Sequence, residues 1–197
     1  GVFEGNGYTI YNYSGSSGLF GSLGGASSHG SDGVIRAYAT IRNLNVIANG
    51  ANQGIVDVGM SAYIINCTMK GSITAQKDDV GGIVGRAVST SIRTCYNYAR
   101  VLGGSYSNIS GIVGSSGGDT NHIINCVNQG EIRGTDCVGG IMGYMRDPAF
   151  SANCQLLNCI NLGYIYGSGE YIGGVVGRNY GNNSEIYRCY NSANSYV

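Results

Sequence analysis

Residues able to do chemistry are sparse in this chain. Charged side chains make up 11% of its 197 residues, and the only histidines are His29 and His122. Gly114-Ser115-Ser116-Gly117-Gly118 satisfies the Gly-x-Ser-x-Gly pattern of a nucleophile elbow, but that elbow needs a strand-to-helix turn and a histidine partner. Here the serines follow a glycine that recurs along the chain, which favours a scaffold role. Gly81-Gly82-Ile83-Val84-Gly85 has the glycines of a phosphate-cradling loop without its lysine or its following helix. There is no His-Glu-x-x-His and no Cys-x-x-Cys, and Cys154 and Cys159 lack further ligands at zinc-site spacing. No catalytic residues are assigned.

Two weaker constellations remain. Asp78, Ser107, Asp136 and Glu170 stand three residues before successive copies of one glycine block, with Asp79 beside the first. Stacked carboxylates repel one another unless a cation relieves them, and calcium takes six to eight oxygen ligands, so Asp78, Asp79, Asp136 and Glu170 form a candidate calcium stripe. A solvated turn with ordinary acids is the plainer reading. Asp136 and Glu170, from adjacent copies, also suit the paired carboxylates of a glycan hydrolase. The second constellation is aromatic. There are sixteen tyrosines and no tryptophan, with Tyr164, Tyr166 and Tyr171 in one copy and Tyr98 and Tyr106 in another. Alternation about an inward Ile165 turns Tyr164 and Tyr166 outward, where flat amphipathic rings can stack on sugar or protein. Arg100, Glu131 and Arg133 lie on the stretch between and complete a candidate binding face.

The elements that position these residues repeat. Ile64-Ile65-Asn66-Cys67 recurs as 92–95, 123–126, 156–159 and 186–189, with cysteines 28, 31, 33 and 30 residues apart. Gly82-Ile83-Val84-Gly85 recurs at 111–114, 140–143 and 174–177, preceded by Gly18-Leu19-Phe20-Gly21 and a degenerate Gly54-Ile55-Val56-Asp57. The chain holds about six copies of a unit of about 30 residues. Such a unit cannot bury its apolar side chains alone, and stacking on its neighbours gives it a continuous core. The reading is an all-β fold, a parallel β-helix or solenoid of about six coils, roughly 30 Å tall at about 4.8 Å per coil. No stretch keeps a helical apolar stripe, and 35 glycines point to short strands joined by turns.

Equivalent positions then become ladders. Cysteine continues a column begun by Leu44 and reads as a small buried apolar row of reduced thiols, because side chains parallel in one column do not present disulfide torsions. Cys137 and Cys154 fall outside it, and a bridge from either stays open. Two residues after each cysteine come Asn97, Asn128, Asn161 and Asn191, an internal amide ladder at a turn. Gly71, Ala99, Gly130, Gly163 and Ala193 leave room at a tight corner, and Ile73, Val101, Ile132 and Ile165 point inward. The longest insertions, Ser22 to Thr40 and Tyr144 to Gln155, follow the glycine block, as does Asn179 to Glu185, so loops gather at one edge.

Gly18-Leu19-Phe20-Gly21, the Gly-Gly-Ile-Val-Gly copies, Ile-x-Asn-Cys-x-Asn and the opening Gly5-Asn6-Gly7-Tyr8-Thr9-Ile10 resemble GLUG-motif repeats, over nearly the whole chain. Such repeats occur in large exported bacterial surface proteins, including adhesin-like proteins and non-catalytic regions of some IgA-specific metallopeptidases. The resemblance implies a β-solenoid at the cell surface and no catalytic residues within the repeat.

Eleven basic and eleven acidic side chains cancel, so no excess charge favours nucleic acid or an anionic membrane. No run approaches 18 apolar residues, and residues 1–13 lack the regions of a secretory signal, so no direct membrane insertion is expected and any export signal lies upstream. Residues 1–197 are expected to form a single domain, a piece of a longer protein. The expected function is non-catalytic: an extracellular module, on a bacterial surface or secreted, that presents a binding face to a glycan or surface protein of a host or neighbouring cell. No cofactor beyond calcium is implied. A carbohydrate-processing β-helix using Asp136 and Glu170 and a ligand-free spacer are the alternatives.

Overall fold

The computed structural model describes residues 1–25, 39–118, 120–146, 153–181, 183–192 and 195–196. Every described residue in regular structure lies in a strand, and every strand pairing is parallel. One turn of the solenoid runs through Ser91–Arg93, Tyr96–Asn97, Arg100–Leu102, Ile109–Ser110 and Val113–Gly117. Each of these pairs with its counterpart about thirty residues away in either direction, so the repeat read from the sequence becomes the vertical hydrogen-bond ladder. The walls contain seven, eleven, four and six strands. Four coils have a strand on every wall. Among the described residues the first two coils have no fourth-wall strand, so four complete coils stand within the expected six.

The interior is a set of apolar columns. Ile41, Ile64, Ile92, Ile123 and Leu156 stack in register and are fully buried. So do Ile73, Val101, Ile132 and Ile165, and the paired Ile83–Val84, Ile112–Val113 and Ile141–Met142 of the glycine block. Adjacent strands sit about 4.8 Å apart, so each side chain meets the like side chain of the next coil, and β-branched rows fill the interior without alternation of sizes.

Corners between walls carry the specificity. The residue before each member of the cysteine column is left-handed: Asn43, Asn66, Thr94, Asn125, Asn158 and Arg188, with φ of 51° to 56°. Asparagine tolerates that conformation better than most residues, and its amide is used again, since Asn66 Nδ2 donates to Asn43 Oδ1 (2.8 Å) and Asn158 Nδ2 to Asn125 Oδ1 (3.2 Å). A second left-handed column, Asp79, Asn108, Cys137 and Tyr171, leads into the fourth wall.

The internal amide ladder forms as expected. Asn97 Nδ2 donates to Asn128 Oδ1 (2.8 Å), Asn128 to Asn161 (2.7 Å) and Asn161 to Asn191 (2.8 Å). The second amide hydrogen of Asn97, Asn128 and Asn161 goes to the carbonyl two residues on, at 3.0 Å in each case. The amide oxygen accepts from the same residue's N–H at 3.2 Å. These three side chains are fully buried with donors and acceptors occupied, as burial of an amide demands.

The ladder also explains the glycine block. A Cβ on Gly82, Gly111, Gly140 or Gly174 would sit 2.3 to 2.5 Å from the Asn97, Asn128, Asn161 or Asn191 amide carbon. The block's last glycine is needed for another reason: a Cβ on Gly114, Gly143 or Gly177 would lie 2.6 to 2.7 Å from backbone of the second left-handed column. Neither set has positive φ, so close approach rather than conformational freedom selects glycine. Asp57 replaces the last glycine in the coil that lacks a fourth-wall strand. There its carboxylate meets Lys77 (2.6 Å) and Ser17 (2.8 Å), and Val56–Met60 pairs normally with both neighbours.

The insertions expected to form one binding edge fall mostly on residues 26–38, 147–152 and 182, outside the described residues, as does Ala193.

Candidate functional site

Five of the six residues assigned to a binding face come together on the second wall. The Ile132–Gly134 and Ile165–Gly167 strands pair Arg133 with Tyr166, and the Arg133 guanidinium carbon lies 4.5 Å from that ring's centroid. Tyr164 and Tyr166, one residue apart on the same outward face, have ring centroids 6.4 Å apart at 31°. Glu131 bridges two cations, with Arg133 Nε on one carboxylate oxygen and Arg100 Nε 3.4 Å from the other. Arg133, with Arg100 beyond it, holds the Glu131 carboxyl below its ordinary value. The patch is therefore a row of flat rings, Tyr164 being 47% exposed, beside a charge network that Glu131 half neutralises. Solvent screens exposed ion pairs of this kind, so their effect is to fix side-chain positions more than to stabilise the fold.

Tyr171 stands apart from that row. It occupies the left-handed corner before the fourth wall, φ 62°, and packs on Arg178. Of the other two tyrosines singled out, Tyr98 is exposed with Lys70 over its ring, whereas Tyr106 packs against the core.

The acidic stripe is used in the corners. Asp78 Oδ1 accepts from Ser107 N (2.8 Å), Asp79 Oδ1 from Asn108 Nδ2 (2.7 Å) and Asp136 Oδ1 from Glu170 N (2.6 Å). Each carboxylate thus ties one coil to the next. Among the described residues no three His, Cys, Asp or Glu side chains group to hold a metal. Asp136 meets Glu170 through the latter's backbone N–H, a turn-capping contact.

All seven cysteines are free thiols, including Cys137 and Cys154. The column residues donate to carbonyls at both levels: Cys95 Sγ to Arg93 O (3.3 Å) and Ile64 O (3.6 Å), Cys126 Sγ to Ile124 O (3.4 Å) and Ile92 O (3.7 Å). Burial pushes the Cys95 thiol well up. Cys159 is pushed up to about 12, first by its contact with the Cys126 thiol and then by burial. Cys95 and Cys159 are thereby held away from the thiolate form that reactivity needs, whereas at Cys126 burial is outweighed by hydrogen bonds from the Cys159 and Cys95 thiols, which draw it down.

One cluster escaped the sequence reading. Tyr144 and Arg146 on one strand pair in register with Arg178 and Tyr180 on the next. Arg178 lies 5.3 Å from the Tyr144 centroid, 5.4 Å from Tyr180 and 4.4 Å from Tyr171, and Arg146 lies 4.9 Å from Tyr144. Contacts of this type are worth about 0.5–1 kcal/mol each at exposed sites. The signal was present as Tyr144-Met145-Arg146 and Arg178-Asn179-Tyr180, each directly after a glycine block, in reversed order.

Comparison with known proteins agrees with the repeat and the fold. The family model described as the GLUG motif matches residues 168–196, the last copy of the repeat. No curated protein matches the sequence. Among solved structures, the crystal structure of a protein from Bacteroides ovatus, provisionally named an immunoglobulin A1 protease, superposes with a TM-score of 0.64 at 21% identity. The match covers 95% of this chain and 59% of that one, and at this identity the likeness is one of fold.

Proposed function

We propose that this GLUG-bearing β-solenoid is a non-catalytic module of an exported bacterial surface protein, extracellular in place, whose rigid column displays a binding face to a glycan or surface protein of a host or neighbouring cell. The observation that carries the reading is the outward ring row of exposed Tyr164 and half-buried Tyr166, held beside Arg133 on a parallel ladder. Flat rings on a fixed wall lose little conformational entropy on contact, which is why tyrosine is favoured at recognition surfaces. Glu131 clamps the two arginines and fixes their positions beside the rings, so recognition there combines stacking and shape with the one positive charge left over.

The test is binding of the chain to a combined glycan and matrix-protein array, alongside a Tyr164→Ala/Tyr166→Ala variant. A ligand captured by the parent and lost by the double variant, with an unchanged melting temperature, supports the reading. An array left blank by the parent favours a spacer that holds other domains apart. Turnover of any polysaccharide abolished by Asp136→Asn would instead favour the glycan-processing alternative.

A further inference from the structure

The Arg178 cluster lies on a different wall from the Tyr164 row, and we propose that it binds the carboxylate of an acidic sugar residue. Strand register builds it. Tyr144 beside Arg178 and Arg146 beside Tyr180 alternate rings and guanidinium groups on one outward face. Tyr171 closes the group from the corner, held at a backbone φ of 62° that an aromatic residue rarely adopts. Three rings within 5.4 Å of one guanidinium carbon leave Arg178 little freedom.

The three rings about Arg178, rather than charge alone, separate this cluster from the rest of the surface, since Lys70, Arg86, Arg93 and Arg188 also have no carboxylate partner among the described residues. Arg42, Lys77, Arg100 and Arg133 each face a carboxylate. Among the described residues, neither Arg146 nor Arg178 has an acidic partner. Arg178 commits one side-chain contact to Cys137, and a guanidinium packed among rings keeps its remaining N–H donors in plane, where their fork matches the two oxygens of a carboxylate. Tyr180 and Tyr171 are 65% and 46% exposed, and their rings and hydroxyls can serve the C–H face and hydroxyl groups of a pyranose. A free phosphate would use the arginines without the rings, and an acidic peptide would offer carboxylates without a rigid ring face. A carboxylated sugar uses both features. This assignment is independent of the Tyr164 face and stands if that face proves inert.

Titration calorimetry of the 197-residue chain tests it, with trigalacturonate, its methyl ester, 3′-sialyllactose, pentaglutamate and inorganic phosphate as probes. At least one acidic sugar should bind, and which one separates a uronic from a sialic source. Trigalacturonate, if it is the one bound, should outbind its ester. Arg178→Ala and Arg178→Lys should each weaken binding by at least about tenfold, since lysine keeps the charge and loses the fork. Arg93→Ala, exposed on the first wall, should leave it unchanged. The proposal fails if neither acidic sugar binds, if the ester binds as well as trigalacturonate, if Arg178→Lys binds like the parent, or if pentaglutamate or phosphate equals the sugar. Should the Arg178 variants lose their cooperative melt, Arg146→Ala and the probe comparison on the parent decide it.

Discussion

The coils before Tyr96 and those after it turn the second wall differently. In the earlier pair, Asn45–Ala51 and Thr68–Thr74 run as unbroken seven-residue strands, with Val46 and Met69 filling the interior. In the later coils the same stretch splits into two short strands, as at Tyr96–Asn97 and Arg100–Leu102, both of which pair with Thr68–Thr74. The change coincides with one column. Asn97 lies in register with Met69, and from there on the position is asparagine. A buried amide that bonds its own chain two residues on draws the backbone into a corner, and the amide above it repeats the demand. Apolar residues at the same position make no such demand, and the strand continues. The earlier coils secure the next wall by other means: Gln53 lends its side chain as an edge, donating to Asp79 O (2.9 Å) and accepting from Gly81 N (3.2 Å) and Gly54 N (3.0 Å).

The largest test of this difference is an exchange across it. Asn128→Met removes the centre of the ladder and strands one amide hydrogen of Asn97 together with the N–H and carbonyl of Gly130. We expect a loss of about 3–5 kcal/mol in denaturant unfolding. Met69→Asn should cost less, about 1–2 kcal/mol, because the new amide can donate to Asn97 Oδ1. Equal losses would mean that the ladder is no more than a tolerated polar row. Gln53→Ala should follow at about 1–3 kcal/mol, with hydrogen exchange accelerated first at Gly81 and Gly54, whose N–H groups lose their partner.

The smallest effect concerns Asp57, the acid that the earlier region places where later copies have glycine. Burial alone would raise its carboxyl, but Lys77, Ser17 and Gln53 outweigh it and hold the value below 3.8. A depressed folded value means that the carboxylate's contribution is complete above the unfolded value and is lost as pH falls through the folded one. Stability should therefore drop on acidification below about pH 4, and Lys77→Met should flatten that drop in unfolding midpoints measured across the same range.

Much of this was legible in the chain. A period of about thirty residues, with apolar rows at fixed offsets, dictates stacked parallel coils because no unit can bury its rows alone. The Asn97 ladder, the reduced cysteine column and the outward Tyr164 and Tyr166 follow from the same arithmetic, since offsets within one repeat become columns. Other features depended on contacts between different parts of a coil. Nothing local says that Gly111 faces the Asn128 amide of the following coil or that Gly114 faces the corner at Asp79, so both read only as generic turn residues. Asp78 and Asp136 looked like ligands because spacing shows which charges align, and it does not show that backbone donors of the next coil reach them first. Tyr171 was grouped with Tyr164 by proximity in sequence, whereas the corner at its own φ of 62° turns it to Arg178. By itself the sequence determined the repeat, and through it the solenoid and its internal columns, because periodic burial has one economical solution. Which walls meet at each corner, and therefore which side chains share a surface, only the tertiary structure decided, because that depends on where each coil bends rather than on how often it recurs.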